Sequence, residues 1–300
     1  MSDPGRTRPT DALLPVLEIG GTHVLAGVVD TAAWSVDHAR RTPLDASASA
    51  GDLLDAFATA LPEPEMPSAA RWAIAIPGPF DYENGIGSFD GVAKFGSLRD
   101  VDVRAGLRDR LPGSPDLVFV NDASAAAIGE WHAAGRPAHR TLYLALGTGI
   151  GSAFLDDGRP VTDAPGLPDN GYLYLLEWQG RPLEESVSRR AIRAKYLAAG
   201  GDDADVREIA GRARLGESVA RSVLEEAFRT LGTAIGPVIR AFGAAEVVVG
   251  GSIAESWDVL ADPLAEGLLA ASPSAPVALR KARSESASAL IGAAIAVTRR

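Results

Sequence analysis

Short apolar runs broken by glycines mark the beginning of the chain. An apolar run over residues 14–19 stops at a pair of glycines, and a second apolar run follows over residues 22–29. Apolar runs bounded by glycine are typical of strands joined in a hairpin, so these residues predict two paired β-strands. Weaker alternation over residues 34–42 predicts a third strand, and a helix is expected over roughly residues 49–61.

The same arrangement returns in the middle of the chain. Residues 141–146 and 150–155 are apolar and flank Gly147-Thr148-Gly149, which predicts a second glycine-turned hairpin. Two such hairpins, each followed by further strands and helices, predict duplicated α/β lobes with a boundary near residues 122–140. The other predicted elements are strands over residues 71–76, 117–120 and 246–249, and helices over residues 123–134, 184–198, 217–242 and 286–298.

Composition and charge exclude several classes of function. The chain has 300 residues, of which 46% are hydrophobic, and this is enough for two lobes with separate cores. A net charge of −10 and a pI near 5.0 argue against nucleic acid as a partner. The chain has no cysteine, which excludes disulfides, thiolate metal sites and cysteine nucleophiles.

The amino-terminal sequence MSDPGRTRPTDALL has no apolar core of signal-peptide length. No later stretch approaches the ~20 apolar residues that are needed to span a bilayer. We therefore expect a cytoplasmic protein without a membrane partner, and residues 1–13 are expected to form a flexible tail.

Both glycine-rich turns carry a hydroxyl residue. The first turn lies in Glu18-Ile19-Gly20-Gly21-Thr22 and the second in Leu146-Gly147-Thr148-Gly149-Ile150-Gly151. Glycines let a backbone approach phosphate closely, and consecutive N–H groups with a threonine hydroxyl can hold its oxygens. Each motif is equally compatible with an ordinary tight turn. Two threonine-bearing turns between apolar strands favour phosphate binding, although neither has the Gly-Lys-Ser/Thr of a Walker loop.

Asp122 follows Asn121 where a predicted strand ends and a helix begins. An aspartate at such a junction can simply cap the helix. It can also act as a general base that takes the proton of a substrate hydroxyl attacking the γ-phosphorus of a nucleotide, an effect of ~10²–10⁴ in rate. The position alone leaves both interpretations open.

A polar loop that contains Asp169, Tyr172 and Glu184 precedes a predicted helix. Its acids could bind sugar hydroxyls, or Glu184 could favour the helix amino terminus electrostatically, and the residues alone do not decide. The four histidines show no metal-ligand spacing and are interpreted as surface or packing residues. They are His23, His38, His132 and His139.

Taken in order, these segments resemble the ROK family of sugar kinases and regulators from about residue 14 to the end. Six motifs in the right order carry the resemblance. They are residues 18–22, similar to the family's Asp-x-Gly-Gly-Thr phosphate loop; Pro77-Gly78-Pro79, similar to its Pro-Gly-Pro turn; residues 121–127, similar to its segment with the catalytic base; residues 147–151, similar to its second phosphate loop; Val249-Gly250-Gly251-Ser252, similar to its adenosine-side turn; and Ile291-Gly292-Ala293, similar to its closing helix.

The resemblance implies an α/β fold of two ribonuclease-H-like lobes with a central cleft, as in actin/hexokinase-like ATPases. The implied small lobe comprises residues 14–122, with a helix over about residues 285–300 packing back on it, and the large lobe comprises residues 123–284. ATP and Mg²⁺ are the implied cofactors, and a homodimer is implied. Asp122 is the implied base, the implied substrate ligands are Gly78, Asn121, Asp169, Tyr172 and Glu184, and the implied nucleotide ligands are Gly20, Gly21, Thr22, Gly147, Thr148, Gly149, Gly250 and Gly251.

Three departures from the family pattern bear on the ligands. Glu18 replaces the family's aspartate and lengthens the arm that would hold Mg²⁺ through a water molecule. Asp169-Asn170-Gly171-Tyr172 replaces the family's Glu-x-Gly-His box and the cysteine cluster is absent, so we expect no structural zinc. The family's Asn-Leu substrate motif gives way to residues 91–98, which is expected to place Lys94 or Ser97 near the substrate.

The resulting prediction is ATP-dependent phosphoryl transfer to the primary hydroxyl, the 6-hydroxyl or its equivalent, of a hexose-like substrate. Altered pairing residues favour a modified hexose, such as the amino sugar kanosamine, or a C7 cyclitol, because a site built for particular hydroxyls can reject an analogue by ~10⁴ or more. Plain glucokinase activity is one alternative. A catalytically silent sugar-binding or regulatory protein is another, although we expect 13 polar residues to be too few for the DNA-binding domain of the family's regulators.

Overall fold

The computed structural model describes residues 12–60, 71–89, 94–137, 139–271, 277–283 and 285–299. The chain divides into two compact units, of which the first comprises Met1–Gly129 with Ser286–Arg300 and the second comprises Glu130–Glu285. Within the described residues, no helix combines the length and the apolarity needed to cross a membrane.

In chain order, the strands and helices are β1 (Leu13–Ile19), β2 (His23–Asp30), β3 (Ser35–Pro43), α1 (Ala50–Ala58), β4 (Arg71–Ile76), β5 (Phe80–Asp81), β6 (Ile86–Gly87), α2 (Val103–Arg108), β7 (Asp116–Asn121), α3 (Asp122–Ala133), β8 (Thr141–Leu146), β9 (Ile150–Asp156), β10 (Arg159–Val161), β11 (Glu177–Trp178), β12 (Arg181–Pro182), α4 (Glu184–Val187), α5 (Arg189–Ala198), α6 (Val206–Arg214), α7 (Ser218–Phe242), β13 (Glu246–Gly250), α8 (Trp257–Ala271), β14 (Ala278–Lys281) and α9 (Glu285–Thr298).

A five-stranded sheet with the order β3-β2-β1-β4-β7 forms the centre of the first unit. The β1–β2 and β2–β3 pairs are antiparallel, whereas the β1–β4 and β4–β7 pairs are parallel. Leu17 and Ile19 of β1 pack on one face with α1 and α2, and Leu14 and Val16 pack on the other face with α9. Successive side chains of a strand point to opposite faces, so this unbroken apolar run is buried on both sides.

Two glycines let α9 cross α3 closely within the first unit. A Cβ atom on Gly292 would lie 1.8 Å from the carbonyl oxygen of Ala125, and one on Gly129 would lie 1.8 Å from that of Ser288. No side chain fits at such distances, so only glycine allows this crossing. The carboxyl-terminal helix is therefore part of the first unit's core.

The second unit repeats the strand arrangement of the first. Its sheet has the order β10-β9-β8-β13-β14, with antiparallel β8–β9 and β9–β10 pairs and parallel β8–β13 and β13–β14 pairs. In each unit a glycine-turned hairpin joins the central strand to its antiparallel neighbour, and two parallel strands follow on the other side. The prediction of duplicated α/β lobes is confirmed.

The predicted helix over residues 184–198 is wrong in one respect, because it is two helices that meet at Ser188. Ser188 has an extended backbone (φ −70°, ψ 161°), and its Oγ accepts the backbone N–H of Ala191 at 3.3 Å. This side-chain bond makes Ser188 the N-cap of α5 and ends α4. The pattern of apolar positions does not reveal α2, α6 or α8, of which α2 is only 6 residues long.

The fold begins within the predicted tail. The carbonyl oxygen of Ala12 accepts the backbone N–H of Thr31 at 2.8 Å, and β1 begins at Leu13. Residues 1–11 lie outside the described residues.

Candidate active site

Asp122 is the first residue of α3, directly after β7. Its Oδ1 accepts the backbone N–H of Ala123 at 2.8 Å and the side-chain amide of Asn121 at 3.3 Å. The usual N-cap bond, to the N–H three residues on, is instead made by Asn121, whose Oδ1 accepts the N–H of Ser124 at 3.0 Å. Asn121 thus caps α3, and Asp122 Oδ2 makes no hydrogen bond with another described residue.

The amide of Asn121 is held in one orientation by Tyr82. Asn121 Nδ2 donates to the Tyr82 hydroxyl at 3.0 Å, and that hydroxyl donates to the carbonyl oxygen of Ile76 at 3.2 Å. Tyr82 lies three residues beyond the predicted Pro-Gly-Pro turn, where Gly78 precedes a cis Pro79. The sequence prediction missed Tyr82, although its place directly after this turn was an available signal.

Burial raises the pKa of the Asp122 carboxyl above the ordinary aspartate value. The positive charge of Lys94 opposes this rise in pKa, and the negative charge of Glu18 adds to it. A carboxylate is a better general base when its pKa lies closer to the working pH. The surroundings of Asp122 therefore favour proton acceptance.

Lys94 lies over the first glycine turn. A Cβ atom on Gly21 would lie 3.0 Å from Lys94 Cδ and 3.3 Å from Lys94 Nζ. The turn is closed by a bond from the Gly20 backbone N–H to the His23 carbonyl oxygen at 2.8 Å, and the Thr22 side chain is exposed. The first unit thus brings an ammonium group against the backbone of a glycine turn, and such a pair of groups can hold a phosphate.

Ser97, the other residue predicted beside the substrate, has its hydroxyl engaged elsewhere. Ser97 Oγ donates to the carbonyl oxygen of Ala48 at 2.7 Å. This hydrogen bond joins two loops of the first unit. Lys94 is therefore the stronger of the two candidates for contact with the substrate. Residues 91–93 of the same predicted segment lie outside the described residues.

Glu18 at the end of β1 faces His23 across the first turn. Their carboxylate Oε2 and imidazole Nε2 lie 3.6 Å apart, and Arg41 Nη2 lies 3.1 Å from His23 Nδ1. Because a guanidinium can only donate, the Arg41 contact makes Nδ1 the acceptor and leaves the proton of a neutral imidazole on Nε2, towards Glu18. His23, interpreted from the sequence as a surface or packing residue, is thus part of this cluster.

Glu18 fits the needs of Mg²⁺ at a nucleotide site. Mg²⁺ takes oxygen ligands and is usually bound through one or two carboxylates together with phosphate oxygens. Glu18 and Asp122 are electrostatically coupled, and Glu18 remains 17% exposed. Across the part of the chain that the structure describes, no three His, Asp or Glu side chains gather into a cage that would hold a metal by itself.

In the second unit, Glu184 supports the second glycine turn. Glu184 Oε1 accepts the backbone N–H of Ile150 at 2.7 Å, and a Cβ atom on Gly149 would lie 2.2 Å from the same oxygen. Glu184 also lies in the first turn of the short helix α4, where its charge suits the helix dipole. One oxygen of this carboxylate therefore positions the turn that contains Thr148.

The Gly250-Gly251 turn lies against the second glycine turn. Gly251 has a φ of 86°, and a Cβ atom there would lie 2.2 Å from the Leu146 carbonyl oxygen. Arg189 joins the two turns, because its backbone N–H donates to the Gly147 carbonyl oxygen at 3.0 Å and its Nη2 donates to Ser252 Oγ at 3.0 Å. The sequence prediction missed Arg189.

The aromatic part of the polar loop lies near Glu184. The Tyr172 and Tyr174 rings stack with centroids 5.3 Å apart, and burial, followed by the charges of Tyr172 and Glu184, raises the pKa of Tyr174. Ser152 anchors this loop, because its Oγ donates to the Gly171 carbonyl oxygen at 2.7 Å and accepts the Leu173 N–H at 2.9 Å.

Asp169 begins a single helical turn of the same loop. Its side chain is exposed and makes no hydrogen bond with the described residues. Of the loop residues predicted to bind substrate, Tyr172 and Glu184 are linked through Tyr174, which stacks on the first and feels the charge of the second, whereas the Asp169 side chain is exposed.

These features define the class of protein. Two α/β units with the same five-stranded sheet, each carrying a glycine-rich turn after its central strand, form the actin/hexokinase-like ATPase fold. The chain belongs to the ROK family, whose sequence profile matches residues 16–300. The predicted family and fold class are confirmed.

Named kinases are among the similar proteins. An N-acetylmannosamine kinase from Citrobacter koseri is 30% identical over 290 residues, covering 93% of this chain and 96% of that protein. A glucokinase from Thermotoga maritima is 26% identical over 273 residues, covering 83% of this chain and 85% of that protein. A ROK family glucokinase from Streptomyces griseus, solved in complex with glucose and AMPPNP, has a TM-score of 0.76 at 21% identity and covers 96% of this chain and 100% of that chain.

Proposed function

We propose that the protein is an ATP-dependent sugar kinase that phosphorylates the primary hydroxyl of a hexose-like substrate with Asp122 as the base. The observation that carries the proposal is the difference between the hydrogen bonds of Asn121 and those of Asp122. Asn121 caps α3, so Asp122 keeps Oδ2 unengaged and has a raised pKa. The names of the glucokinase and N-acetylmannosamine kinase relatives support the same reaction class.

The proposed reaction is a direct transfer. The substrate hydroxyl oxygen attacks the γ-phosphorus, its proton passes to Asp122 Oδ2, and the bond between the γ-phosphorus and its bridging oxygen breaks so that ADP leaves with the electron pair. Lys94, beside Gly21, is suited to neutralise charge on the transferred phosphoryl group. Mg²⁺, when bound, supplies charge neutralisation on the phosphates, and Glu18 would hold it through a water molecule.

The remaining predicted ligands divide between the two units. In the first unit, Gly20, Gly21 and Thr22 would bind phosphate oxygens, and Gly78 and Asn121 would face the substrate. In the second unit, the turns at residues 147–149 and 250–251 would bind the nucleotide. Because one carboxylate oxygen of Glu184 already accepts the backbone N–H of Ile150, Glu184 would bind the substrate through its second oxygen.

A modified hexose with an amino group suits the second unit best. The Tyr172 ring stacks on Tyr174, whose pKa is raised by burial and then by the charges of Tyr172 and Glu184, and both an aromatic face and a carboxylate attract an ammonium group. Kanosamine has such a group, and C7 cyclitols have an altered hydroxyl pattern. Plain glucose is the alternative substrate.

The test measures ADP release with ATP and Mg²⁺ against glucose, mannose, their amino and N-acetyl derivatives, kanosamine and C7 cyclitols. Asp122→Asn serves as the blank, and Asp116→Asn is the matched control, because Asp116 begins β7, the strand that leads to Asp122, and pairs with Arg71 at the surface. We expect one sugar to be preferred, Asp116→Asn to keep wild-type turnover and Asp122→Asn to lose nearly all of it.

If Asp122→Asn keeps a tenth of the wild-type rate, Asp122 is not the base. If no compound shows turnover that depends on Asp122, the result favours a silent sugar binder or a substrate outside this set of compounds. The homodimer and the cytoplasmic location stay predictions, which chromatography with light scattering and cell fractionation would test.

A further inference from the structure

Tyr82 lies directly after β5, and its ring packs on Phe80 with the two centroids 5.3 Å apart. Its hydroxyl donates to the carbonyl oxygen of Ile76 at 3.2 Å and accepts the side-chain amide of Asn121 at 3.0 Å. A phenol has one proton and a carbonyl oxygen can only accept. The bond to Ile76 therefore leaves the Tyr82 oxygen facing Asn121 as an acceptor.

The loop that contains Tyr82 is fixed by hydrogen bonds on both sides of the tyrosine. Asp81 Oδ1 accepts the backbone N–H of Glu83 at 3.1 Å and that of Asn84 at 3.0 Å. Arg104 donates to the carbonyl oxygens of the same two residues, from Nη2 to Glu83 at 2.8 Å and from Nε to Asn84 at 3.1 Å. These bonds hold the Tyr82 hydroxyl against Asn121.

The side chain of Asn121 uses most of its hydrogen-bonding capacity inside the protein. An amide side chain offers two N–H donors and one oxygen with two lone pairs. Nδ2 donates to the Tyr82 hydroxyl at 3.0 Å and to Asp122 Oδ1 at 3.3 Å, whereas Oδ1 accepts the Ser124 N–H at 3.0 Å. Both donors are thus engaged by described residues, and one acceptor position of Oδ1 remains.

The same three partners exclude the reversed amide. Rotation of the amide by half a turn would bring its amino group against the Ser124 N–H, so that two donors would meet. The rotation would also bring the carbonyl oxygen against the Tyr82 oxygen and the Asp122 carboxylate, so that acceptors would meet. Asn121 is half-buried, and the reversed amide would lose all three bonds. The hydrogen-bond network therefore assigns one orientation to the amide.

We propose that Tyr82 is a positioning residue that makes Asn121 a hydrogen-bond acceptor for the substrate. Because Tyr82 occupies one N–H of the amide and Asp122 occupies the other, Asn121 faces the sugar with its oxygen alone. Asp122 Oδ2 is also an acceptor, so this edge of the site selects a sugar that donates from two hydroxyls, the reacting one and a second one. The inference rests on the proposed function, which it deepens by naming the residue that sets the direction of hydrogen bonding at Asn121.

Analogues that separate donating from accepting test this proposal. Fluorine in place of a hydroxyl can accept a hydrogen bond but cannot donate one, and hydrogen in its place can do neither. The probes are glucose and its deoxyfluoro and deoxy analogues, in which each secondary hydroxyl is replaced in turn. The measured quantity is kcat/KM with ATP and Mg²⁺ in the full-length protein.

The variant is Tyr82→Phe, which removes the hydroxyl and keeps the ring that packs on Phe80. The matched control is Tyr196→Phe in the second unit. The Tyr196 hydroxyl also makes two hydrogen bonds, donating to Glu217 and accepting from Arg212. A merely structural effect of a lost tyrosine hydroxyl should therefore be seen in both variants.

At one position of the sugar, the wild type should treat the fluoro and deoxy analogues alike, each with a kcat/KM about tenfold or more below that of glucose. Tyr82→Phe frees an N–H of Asn121 to meet the fluorine. The ratio of kcat/KM for glucose to kcat/KM for this fluoro analogue should then fall about fivefold, as for one hydrogen bond. Tyr196→Phe should keep the wild-type ratio. A ratio in Tyr82→Phe within about twofold of the wild-type ratio would overturn the proposal.

A second measurement needs no sugar. Hydrogen exchange of the Asn121 side-chain amide can be followed by NMR in isotope-labelled protein, and Asn121→Asp identifies the signals because it removes the amide. Both amide protons should be protected in the wild type, and one of them should lose its protection in Tyr82→Phe. Equal exchange of both protons in the two proteins would also overturn the proposal.

The two measurements separate this inference from the proposed function. If glucose is phosphorylated but the fluorine ratio does not depend on Tyr82, the inference fails and the kinase remains. If glucose is not phosphorylated but the Asn121 amide loses protection in Tyr82→Phe, the role of Tyr82 in fixing the amide is supported and the assignment of glucose as an acceptor fails.

Discussion

Asn121 Oδ1 accepts the backbone N–H of Ser124 at 3.0 Å and thereby caps α3. Either of the adjacent residues at this strand-to-helix junction could have capped the helix, and this bond assigns the cap to Asn121. With the cap supplied by Asn121, the neighbouring Asp122 needs only one oxygen for local contacts and keeps the other for chemistry. The hydroxyl of Tyr82 fixes the same asparagine from the opposite side.

Asn121→Ala should therefore lower both stability and turnover. Loss of the cap should reduce the free energy of unfolding by about 1 kcal/mol, and loss of the contact with Asp122 should reduce kcat. Ser49→Ala, which removes the N-cap of α1, is the control and should cost similar stability without changing kcat. Denaturant unfolding and steady-state kinetics measure the two effects, and equal kcat losses in both variants would show that Asn121 acts only as a cap.

The sequence predicted most strands of the two five-stranded sheets because their signals are local, but it missed β10 and β14. The apolar runs and glycines of β1, β2, β8 and β9 determine strands and turns without help from distant residues. The break at Ser188 was not predictable in this way, because an apolar periodicity continues on both sides of it.

Less of the candidate site than of the sheets could be predicted from the sequence. Asp122, Glu184 and the glycine turns lie in recognisable motifs, but Tyr82 and Arg189 act through contacts that only the folded chain creates. The assignment of the cap to Asn121 instead of Asp122 likewise depends on side-chain geometry. A sequence pattern gives the position of the junction but not the atoms that bond there.

The acid side of the pH profile should move in opposite directions in two variants. Lys94 lowers the pKa of Asp122 and Glu18 raises it. As the base must be ionised, Lys94→Met should shift the acid limb of kcat/KM to higher pH, and Glu18→Gln should shift it to lower pH. Lys94→Arg, which keeps the charge, is the control and should leave the limb in place. Shifts of the same sign in both variants would contradict Asp122 as the titrating base.

Asp122→Asn should make the protein more stable at neutral pH. Folding raises the pKa of Asp122. Between the unfolded-state and folded-state pKa values, the folded chain therefore holds a proton that the unfolded chain has lost. Its contribution to stability is thus complete below the ordinary aspartate pKa of ~3.9 and is lost as pH rises through the folded-state pKa. Asp122→Asn should therefore be more stable than wild type at pH 7, and this gain should shrink as the pH falls through the folded-state pKa of Asp122.

Denaturant unfolding between about pH 3 and pH 8 measures this difference in stability. This range begins about one unit below the ordinary aspartate pKa and ends several units above it. Asp116→Asn, at the exposed beginning of β7, is the control and should show no such gain. A stability difference between Asp122→Asn and wild type that does not vary with pH would contradict a raised pKa as its cause.

Two glycines of one turn should respond differently to the same substitution. A Cβ atom on Gly149 would lie 2.2 Å from Glu184 Oε1, whereas one on Gly147 has its nearest neighbour, Ser252 Oγ, at 3.5 Å. Gly149→Ala must therefore displace the Glu184 carboxylate and break its 2.7 Å bond to the Ile150 N–H, while Gly147→Ala adds an ordinary contact. Displacement of the turn by about 1 Å should lower kcat/KM up to ~10²-fold in Gly149→Ala.

Gly147→Ala should stay close to the wild-type kcat/KM. The double variant Gly149→Ala with Glu184→Ala separates steric from chemical effects, because removing the carboxylate makes room for the added methyl group. If Glu184 only supports the turn, this double variant should be no worse than Glu184→Ala alone. If Glu184 also binds the sugar, Glu184→Ala should raise the KM for the sugar, and no change at Gly149 should restore it.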